Sequence, residues 1–371
     1  TNGVWSGSFP RLDAPPPRPA AGTFGLDLLE YYEAVRAIGA DKPGSWSSSD
    51  QEGAAPRWRA LDVSWLSLYD YSGARARLVA SVPGTSGPTA GRHTGEHIQK
   101  WGHMRVRGLL AAEGLAVPLD DSVLALQFSS LSSVGNNDKW LRELVASLCG
   151  GSAVMPRLRV VYPTRAQVGA SLEGWVAGAS IPCQTANAAK LRSVLKQLSG
   201  ASALARLCGW DGGPSGRAAA VPHIKSYALY TDEGRLGWAM LTSSNLSQAA
   251  WGKLEKGGTQ LYIKSYELGV LVLPSLQPGG RQSLVATSAA PLAGEQRATL
   301  VPLPYMLPPT PYASSDDAWS TDSHTLTGYQ PSRDAHDRHG FHPGLKPPPV
   351  HMYGRNATGR VLAQREAERR S

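Results

Sequence analysis

Cysteine is scarce. Cys149, Cys183 and Cys208 are the only three, an odd number with no CxxC pair. That argues against a disulfide scaffold and a Cys-based zinc site and fits a reducing compartment. Long apolar runs are missing too. Leu268–Pro274 is among the longest, far short of the roughly 20 residues a spanning helix needs, so no membrane association is expected. The N-terminus, Thr1-Asn2-Gly3-Val4-Trp5, has no basic start and no apolar stretch and is not a signal peptide. No initiator Met is present, so the chain is expected to be processed or part of something longer. Charge is sparse as well, at 18 % of residues against 42 % hydrophobic, a balance that argues against wholesale disorder. The net charge is +8, and half of it lies in residues 342–371. Polyanion binding is allowed by this balance but not demanded.

What is abundant is punctuation, with 40 Gly and 28 Pro in 371 residues, a length that allows two or three domains. Between the breaks, Thr23–Ile38 has the apolar spacing of an amphipathic helix. Residues 40–57 are a polar linker, and Leu61–Tyr71 fits a short helix. Arg77–Val82 reads as a strand stopped by Pro83-Gly84, and Gly95–Glu113 carries a helical pattern. Leu119–Phe128 is a buried strand, Asp138–Leu148 a helix, Arg157–Tyr162 a strand, and Asn187–Leu198 a helix with Asn187 as its N-cap. Val221–Tyr230 and Leu236–Thr242 form two strands turned at Asp232-Glu233-Gly234, a helix follows near Asn245, and Gln260–Lys264 and Leu268–Leu273 are further strands. Strands alternating with helices predict an α/β fold, a mixed β-sheet flanked by helices.

One cluster has the makings of chemistry: Pro222-His223-Ile224-Lys225 followed by Thr242-Ser243-Ser244-Asn245-Leu246-Ser247. On a strand, His223, Lys225 and Tyr227 share a face. Asn245 sits where a strand gives way to a helix, whose N-terminus offers N–H groups to an anion. An imidazole, a cation and an amide around one phosphate-sized spot can hold a phosphate and move a proton. The dipeptide alone is weak, since nine His and ten Lys placed at random give about 0.24 His-x-Lys. A half-buried strand with a solvated lysine is the alternative.

Longer blocks add to that reading. Thr242–Gly252, Leu254-Glu255-Lys256, Gly258-Thr259-Gln260-Leu261 and Ser265–Leu271 follow the His-x-Lys, while Trp101–Arg105, Gln127-Phe128-Ser129-Ser130, Lys139-Trp140-Leu141 and Ser171–Trp175 precede it. Pro302–Tyr305 and Leu307-Pro308-Pro309 come after. In this order they resemble the tyrosyl-DNA phosphodiesterases, a branch of the phospholipase D superfamily, across roughly residues 1–310.

The resemblance implies a phospholipase D-like fold of two pseudo-symmetric halves, each with a His-x-Lys…Asn motif. One His becomes a phosphohistidine. The other protonates the tyrosine leaving oxygen and then activates water, without a metal or other cofactor. His223 matches the second, with Lys225 and Asn245 as its phosphate-clamping partners. Ser129, Ser130 and Ser247 match DNA-contacting positions. Glu267 matches an acid that orients the nucleophilic His, and Asn2 stands where the family usually has a Gln that orients the second. Tyr230 stands where the lipid-cleaving branch has an Asp, which favours the DNA-repair branch. Implied partners are single- or double-stranded DNA with a blocked 3′ end and a topoisomerase-derived peptide. A monomer and a nuclear location are expected.

None of the other eight His is followed two places on by Lys. Gly3-Val4-Trp5 resembles the segment after the first Asn, so the chain is expected to start just downstream of the nucleophile motif. Residues 1–75 would be a remnant of the first domain, 76–341 the second, and 342–371 a disordered basic tail. The remnant helices would expose Leu28, Tyr32 and Trp65. The His336–His342 cluster has metal-like spacing but reads as a polar loop, Asn356-Ala357-Thr358 is an inert glycosylation sequon, and Gly209–Gly216 is a connector. A non-catalytic nucleic-acid-binding or interaction protein is the competing function.

Overall fold

The computed structural model describes residues 4–20, 22–41, 62–84, 91–199, 205–213, 216–278, 284–287 and 298–322. Asn2, most of the linker, the His336–His342 loop, the sequon and the basic tail lie outside these residues.

Helix α1 (Phe24–Asp41) is capped by Thr23, whose Oγ1 accepts from the Leu26 N–H at 3.3 Å. Where a short helix was expected over Leu61–Tyr71, the described residues hold a 3₁₀ stretch, Ser64–Leu68. Strand β1 (Arg77–Ser81) follows, then the short β2 (Arg92–Thr94). The helical pattern expected over Gly95–Glu113 splits into a 3₁₀ turn and α2 (Gly102–Glu113), because Gly102 takes a φ of 58° between them.

Strand β3 (Ser122–Gln127) is buried at every residue; α3 (Lys139–Leu148) and β4 (Arg157–Val161) come next, then α4 (Arg165–Gly169). Helix α5 (Thr185–Ser199) begins two residues before the expected cap. Asn187 therefore sits inside the helix, and its Nδ2 donates to the Leu131 carbonyl. The remaining elements are β5 (Ala205–Cys208), β6 (Lys225–Thr231), β7 (Arg235–Thr242), the one-turn α6 (Gln248–Trp251), β8 (Lys253–Glu255), β9 (Gln260–Tyr262), β10 (Glu267–Val272), β11 (Leu284–Ala286) and β12 (Thr299–Val301).

The main sheet runs β1-β10-β7-β6-β3-β4-β5, with β11 and β12 attached beside β7. Its first five strands pair antiparallel, while β3, β4 and β5 pair parallel. The expected mixed sheet flanked by helices is what forms. Alternation along β3 explains the layering. Leu124 and Leu126 pack with α2, α3 and α5, whereas Val123 and Ala125 pack with Trp210, Leu303 and Tyr305 on the other face. Helix α1 covers the β1–β10 end on that second side through Phe24, Leu78 and Val270. Leu28 and Tyr32 are half-buried there, and only Trp65, at 48 % exposure, stands out as expected.

His103, fully buried on α2, ties that helix to α3, with Nδ1 2.8 Å from Ser147 Oγ and Nε2 3.2 Å from Glu143 Oε1. The three cysteines are free and buried. Burial pushes the thiols of Cys149 and Cys183 up to about 12. A second, three-stranded sheet of order β2-β9-β8 sits apart from the main one.

Candidate active site

The His-x-Lys pair opens β6 instead of lying within it. Pro222 has no N–H to give to a ladder, and the strand begins at Lys225, so His223 is exposed on the lead-in. This corrects the expectation that His223, Lys225 and Tyr227 share one strand face, since His223 precedes the strand. Tyr227 is fully buried beneath the site, where its OH donates to the Ser244 carbonyl at 3.0 Å and accepts from the Trp251 Nε1–H at 3.1 Å.

His223 and Lys225 do line a common cleft of about 510 Å³, whose apolar wall includes Trp5, Phe24, Leu28 and Leu78. The Lys225 ammonium, itself buried, turns back and donates to the His223 carbonyl at 2.6 Å. Burial lowers the Lys225 pKa, and the nearby Glu267 carboxylate opposes that shift. His223, though exposed by surface area, has enough protein packed around its ring that partial desolvation, with the Lys225 charge, holds it below its ordinary value. Glu267 is raised by burial, against the Ser243 hydroxyl that donates to its Oε2 at 2.5 Å and against Lys225.

Asn245 belongs to a second knot. Its Oδ1 accepts from the backbone N–H groups of Ser129 (3.1 Å) and Ser130 (2.9 Å) and from the Ser129 hydroxyl (3.3 Å). Its Nδ2 makes no hydrogen bond among the described residues, and Asn245 itself is not among the residues lining the cleft. The helix after Asn245 is one turn long and begins at Gln248. Ser247, buried, is its N-cap, and its Oγ accepts from the Ala250 N–H at 3.2 Å. At this one-turn helix the cap takes the Ala250 N–H and the Ser133 carbonyl takes the Gln248 N–H, so two of the N-terminal donors are used within the protein. The Thr242–Asn245 corner is set by Thr242 Oγ1, which accepts from the Ser244 N–H and donates to Ser244 Oγ, both at 3.1 Å.

Gln127, noted in the sequence only as the start of the Gln127–Ser130 block, joins the two parts. Gln127 ends β3, fully buried, opposite Ser226 in the ladder. Its Nε2 donates to the carbonyl of Ile224, the residue between His223 and Lys225, at 2.6 Å, and its Oε1 accepts from Ser226 Oγ at 3.0 Å. The segment 127–130 thus holds the His-x-Lys peptide with a side chain and Asn245 with its backbone. The only signal for this in the sequence is a lone amide closing an apolar strand. Among the described residues, no group of three or more His, Cys, Asp or Glu could hold a metal ion.

Comparison with known proteins places these features in a wider set. The family model described as tyrosyl-DNA phosphodiesterase matches residues 9–313. Tyrosyl-DNA phosphodiesterase 1 of Arabidopsis thaliana is 35 % identical over 358 residues, which cover 87 % of this chain and 54 % of that protein. Its Drosophila melanogaster namesake is 33 % identical over 68 % of this chain and 42 % of its own length. The chain thus spans about half the length of these curated relatives. The crystal structure of the yeast tyrosyl-DNA phosphodiesterase superposes with a TM-score of 0.54 at 17 % identity, over 82 % of this chain and 66 % of that one, a likeness of fold.

Proposed function

The chain belongs to the tyrosyl-DNA phosphodiesterase family, and on that premise we propose that it supplies the acid–base half of a DNA-repair phosphodiesterase. The substrate is DNA whose 3′ phosphate is blocked by tyrosine or a related adduct, including a topoisomerase-derived peptide. A monomeric state and a nuclear site of action belong to the same proposal. The observation that carries it is the double brace of segment 127–130, which bonds the Ile224 carbonyl at 2.6 Å and Asn245 Oδ1 at 2.9–3.1 Å. A phosphate clamp needs its groups fixed to within about 0.5 Å, and part-buried hydrogen bonds to both halves of the motif support that reading.

In this reading Lys225 and the Asn245 Nδ2 donors hold the phosphodiester. The resting His223 is shifted toward its neutral form. A phosphate anion entering the cleft favours the protonated form. The imidazolium then gives its proton to the tyrosyl oxygen as the P–O bond breaks, a phenol with a pKa of about 10 being a fair leaving group. Left neutral, His223 takes a proton from the water that next attacks phosphorus. That second step cleaves the P–N bond of a phosphohistidine formed on another imidazole, and leaves a 3′-phosphate end and the free imidazole. The 371 residues hold no second His-x-Lys, so the covalent step requires a nucleophile from outside them.

The same observation favours a second reading, a nucleic-acid-binding protein without catalysis. The purified chain is tested with a 3′-phosphotyrosyl oligonucleotide in imidazole buffer, where free imidazole replaces the missing nucleophile. Tyrosine release at least ~100-fold faster than with His223→Ala is expected, the low end of general acid–base effects. Binding with no His223-dependent release would refute the catalytic reading and leave the binding one.

A further inference from the structure

The small sheet β2-β9-β8 presents a charged face that the cleft does not use. Its register sets Arg92 opposite Tyr262 and Tyr262 opposite Lys253, so these three side chains stand side by side. The other face, with Leu261 and Leu254, is packed into a core. Arg92 is already engaged, with Cζ 4.7 Å from the Tyr262 ring centroid and Nε 3.0 Å from Glu255 Oε2. The Lys264 ammonium lies 5.9 Å from the same ring. Lys253, Lys256 and Lys264 are exposed, and none of them has a carboxylate partner among the described residues.

This face runs into the cleft. The N–H groups of Lys264 and Ser265 donate to the Ala249 carbonyl at 3.1 and 3.0 Å, two residues from the Ser247 cap. Tyr266 follows at 41 % exposure, and Glu267 then contacts Ser243 on the cleft wall. From Lys264 to Glu267 the chain spans at most about 10 Å, so a strand anchored in the cleft reaches Lys264 within a nucleotide or two.

We infer that this face is a phosphate-binding surface for single-stranded nucleic acid leaving the cleft, with Lys264, Lys253 and Lys256 as its phosphate contacts and Tyr266 as a stacking platform at its entrance. The inference rests on the nucleic-acid reading of the cleft and concerns the strand 5′ to the blocked end, not the end itself. Unpaired ammonium groups beside an exposed aromatic ring suit a polyanion with flat bases.

The test uses the 371-residue chain and fluorescein-labelled 3′-phosphate oligonucleotides of about 4 and about 15 nucleotides, a range that brackets single-strand site sizes. Binding is followed by anisotropy between about 50 and 200 mM salt. The variant is Lys253→Ala/Lys256→Gly/Lys264→Ala. Glycine is used at 256 because that residue holds a φ of 49°. Each lost phosphate contact lowers the salt slope by about 0.7. Across that salt range the wild type should therefore lose about 20-fold more affinity for the long oligonucleotide than the variant does. Tyr266→Ala should weaken the long oligonucleotide about tenfold. The short oligonucleotide, and the control Lys190→Ala/Lys196→Ala/Arg206→Ala at the far edge of the main sheet, should be unaffected. An unchanged slope, an equal loss on the short oligonucleotide, or tight binding of poly-glutamate with the same lysine dependence would each overturn the proposal. Failure of the cleft reading looks different: lysine-dependent binding would persist while Lys225→Ala and Asn245→Ala left the short oligonucleotide untouched.

Discussion

Replacing Gln127 by leucine tests whether the amide sets the site or merely fills the core. Leucine is of similar size, so little cavity is created and the loss is polar. Two groups lose the better bonds, the Ile224 carbonyl at 2.6 Å and the buried Ser226 hydroxyl at 3.0 Å, and the Phe128 carbonyl loses a longer one at 3.2 Å. A buried polar group left unsatisfied costs about 1–3 kcal/mol. Two of them, less the gain from burying a more apolar side chain, place the loss at about 3 kcal/mol. Urea unfolding should show a lower midpoint at an unchanged slope.

Ser226→Ala adds a sharper arm, because it removes one of the two stranded groups. Gln127→Leu/Ser226→Ala should be more stable than Gln127→Leu by about 1 kcal/mol, a non-additive result for residues in one network. Function supplies the other readout. Under conditions where the variant is fully folded, a freed Ile224 peptide lets His223 and Lys225 drift, and affinity for a 3′-phosphate oligonucleotide should fall about tenfold, as expected for a clamp misplaced by about 1 Å. Strictly additive energies together with unchanged affinity would refute the reasoning.

Two further perturbations probe the scaffold. Gly178 touches Trp319, and a methyl group there would collide with the indole ring, which stacks on Trp175 and donates from Nε1 to the Ile181 carbonyl; Gly178→Ala should cost about 1–3 kcal/mol and shift tryptophan fluorescence, and an unchanged spectrum and stability would contradict this packing. His93 is kept below its ordinary pKa by burial, although its bond to the Val82 carbonyl opposes the shift. The unfolded chain therefore binds the proton first as pH falls through about 6.5, so the stability His93 contributes is present above that pH and lost below it. His93→Gln should flatten the fall in stability between about pH 7 and 5, and equal pH slopes for both proteins would count against the assignment.

How much of this was legible in the sequence depended on the range of the interactions. The strand over Ser122–Gln127 and the hairpin of β6 and β7 were readable because an apolar run or a Gly-centred turn is local information. The three-residue strands β2, β8, β11 and β12 were not, since three residues carry no usable period. Lys225 and Tyr227 do share a side of β6, but alternation says nothing of depth. Trp251 and the 244 carbonyl close over Tyr227 and leave only Lys225 to the cleft. Gln127 stood in a noted block, but its bracing role was not legible because its partner carbonyl lies 97 residues away. Asn187 illustrates a tertiary override. Asp322 accepts from the Thr185 N–H at 2.7 Å and extends the helix past the residue that looked like its cap.

The charges of the cleft are best understood as a set held away from their full ionisation. Burial lowers Lys225 and His223 and raises Glu267, while Lys225 and Glu267 each oppose the other's shift. Each of the three is easier to neutralise than it would be in water. The apolar wall of Trp5, Phe24, Leu28 and Leu78 keeps the local dielectric low, so a new charge is felt strongly. A phosphate anion entering this space would lie near two bases shifted toward their neutral forms and one carboxylate. It would favour the protonated forms of both bases, and a carboxylate beside it would shift toward its neutral form, which reduces repulsion. In the mechanism we propose, His223 would therefore gain its proton when the substrate arrives, at the step where a leaving oxygen requires one. In an empty cleft its surroundings shift it toward the neutral form, the one able to take a proton from water. On that proposal the opposing demands of acid and base would be met by one side chain, because the substrate's own charge shifts its proton affinity.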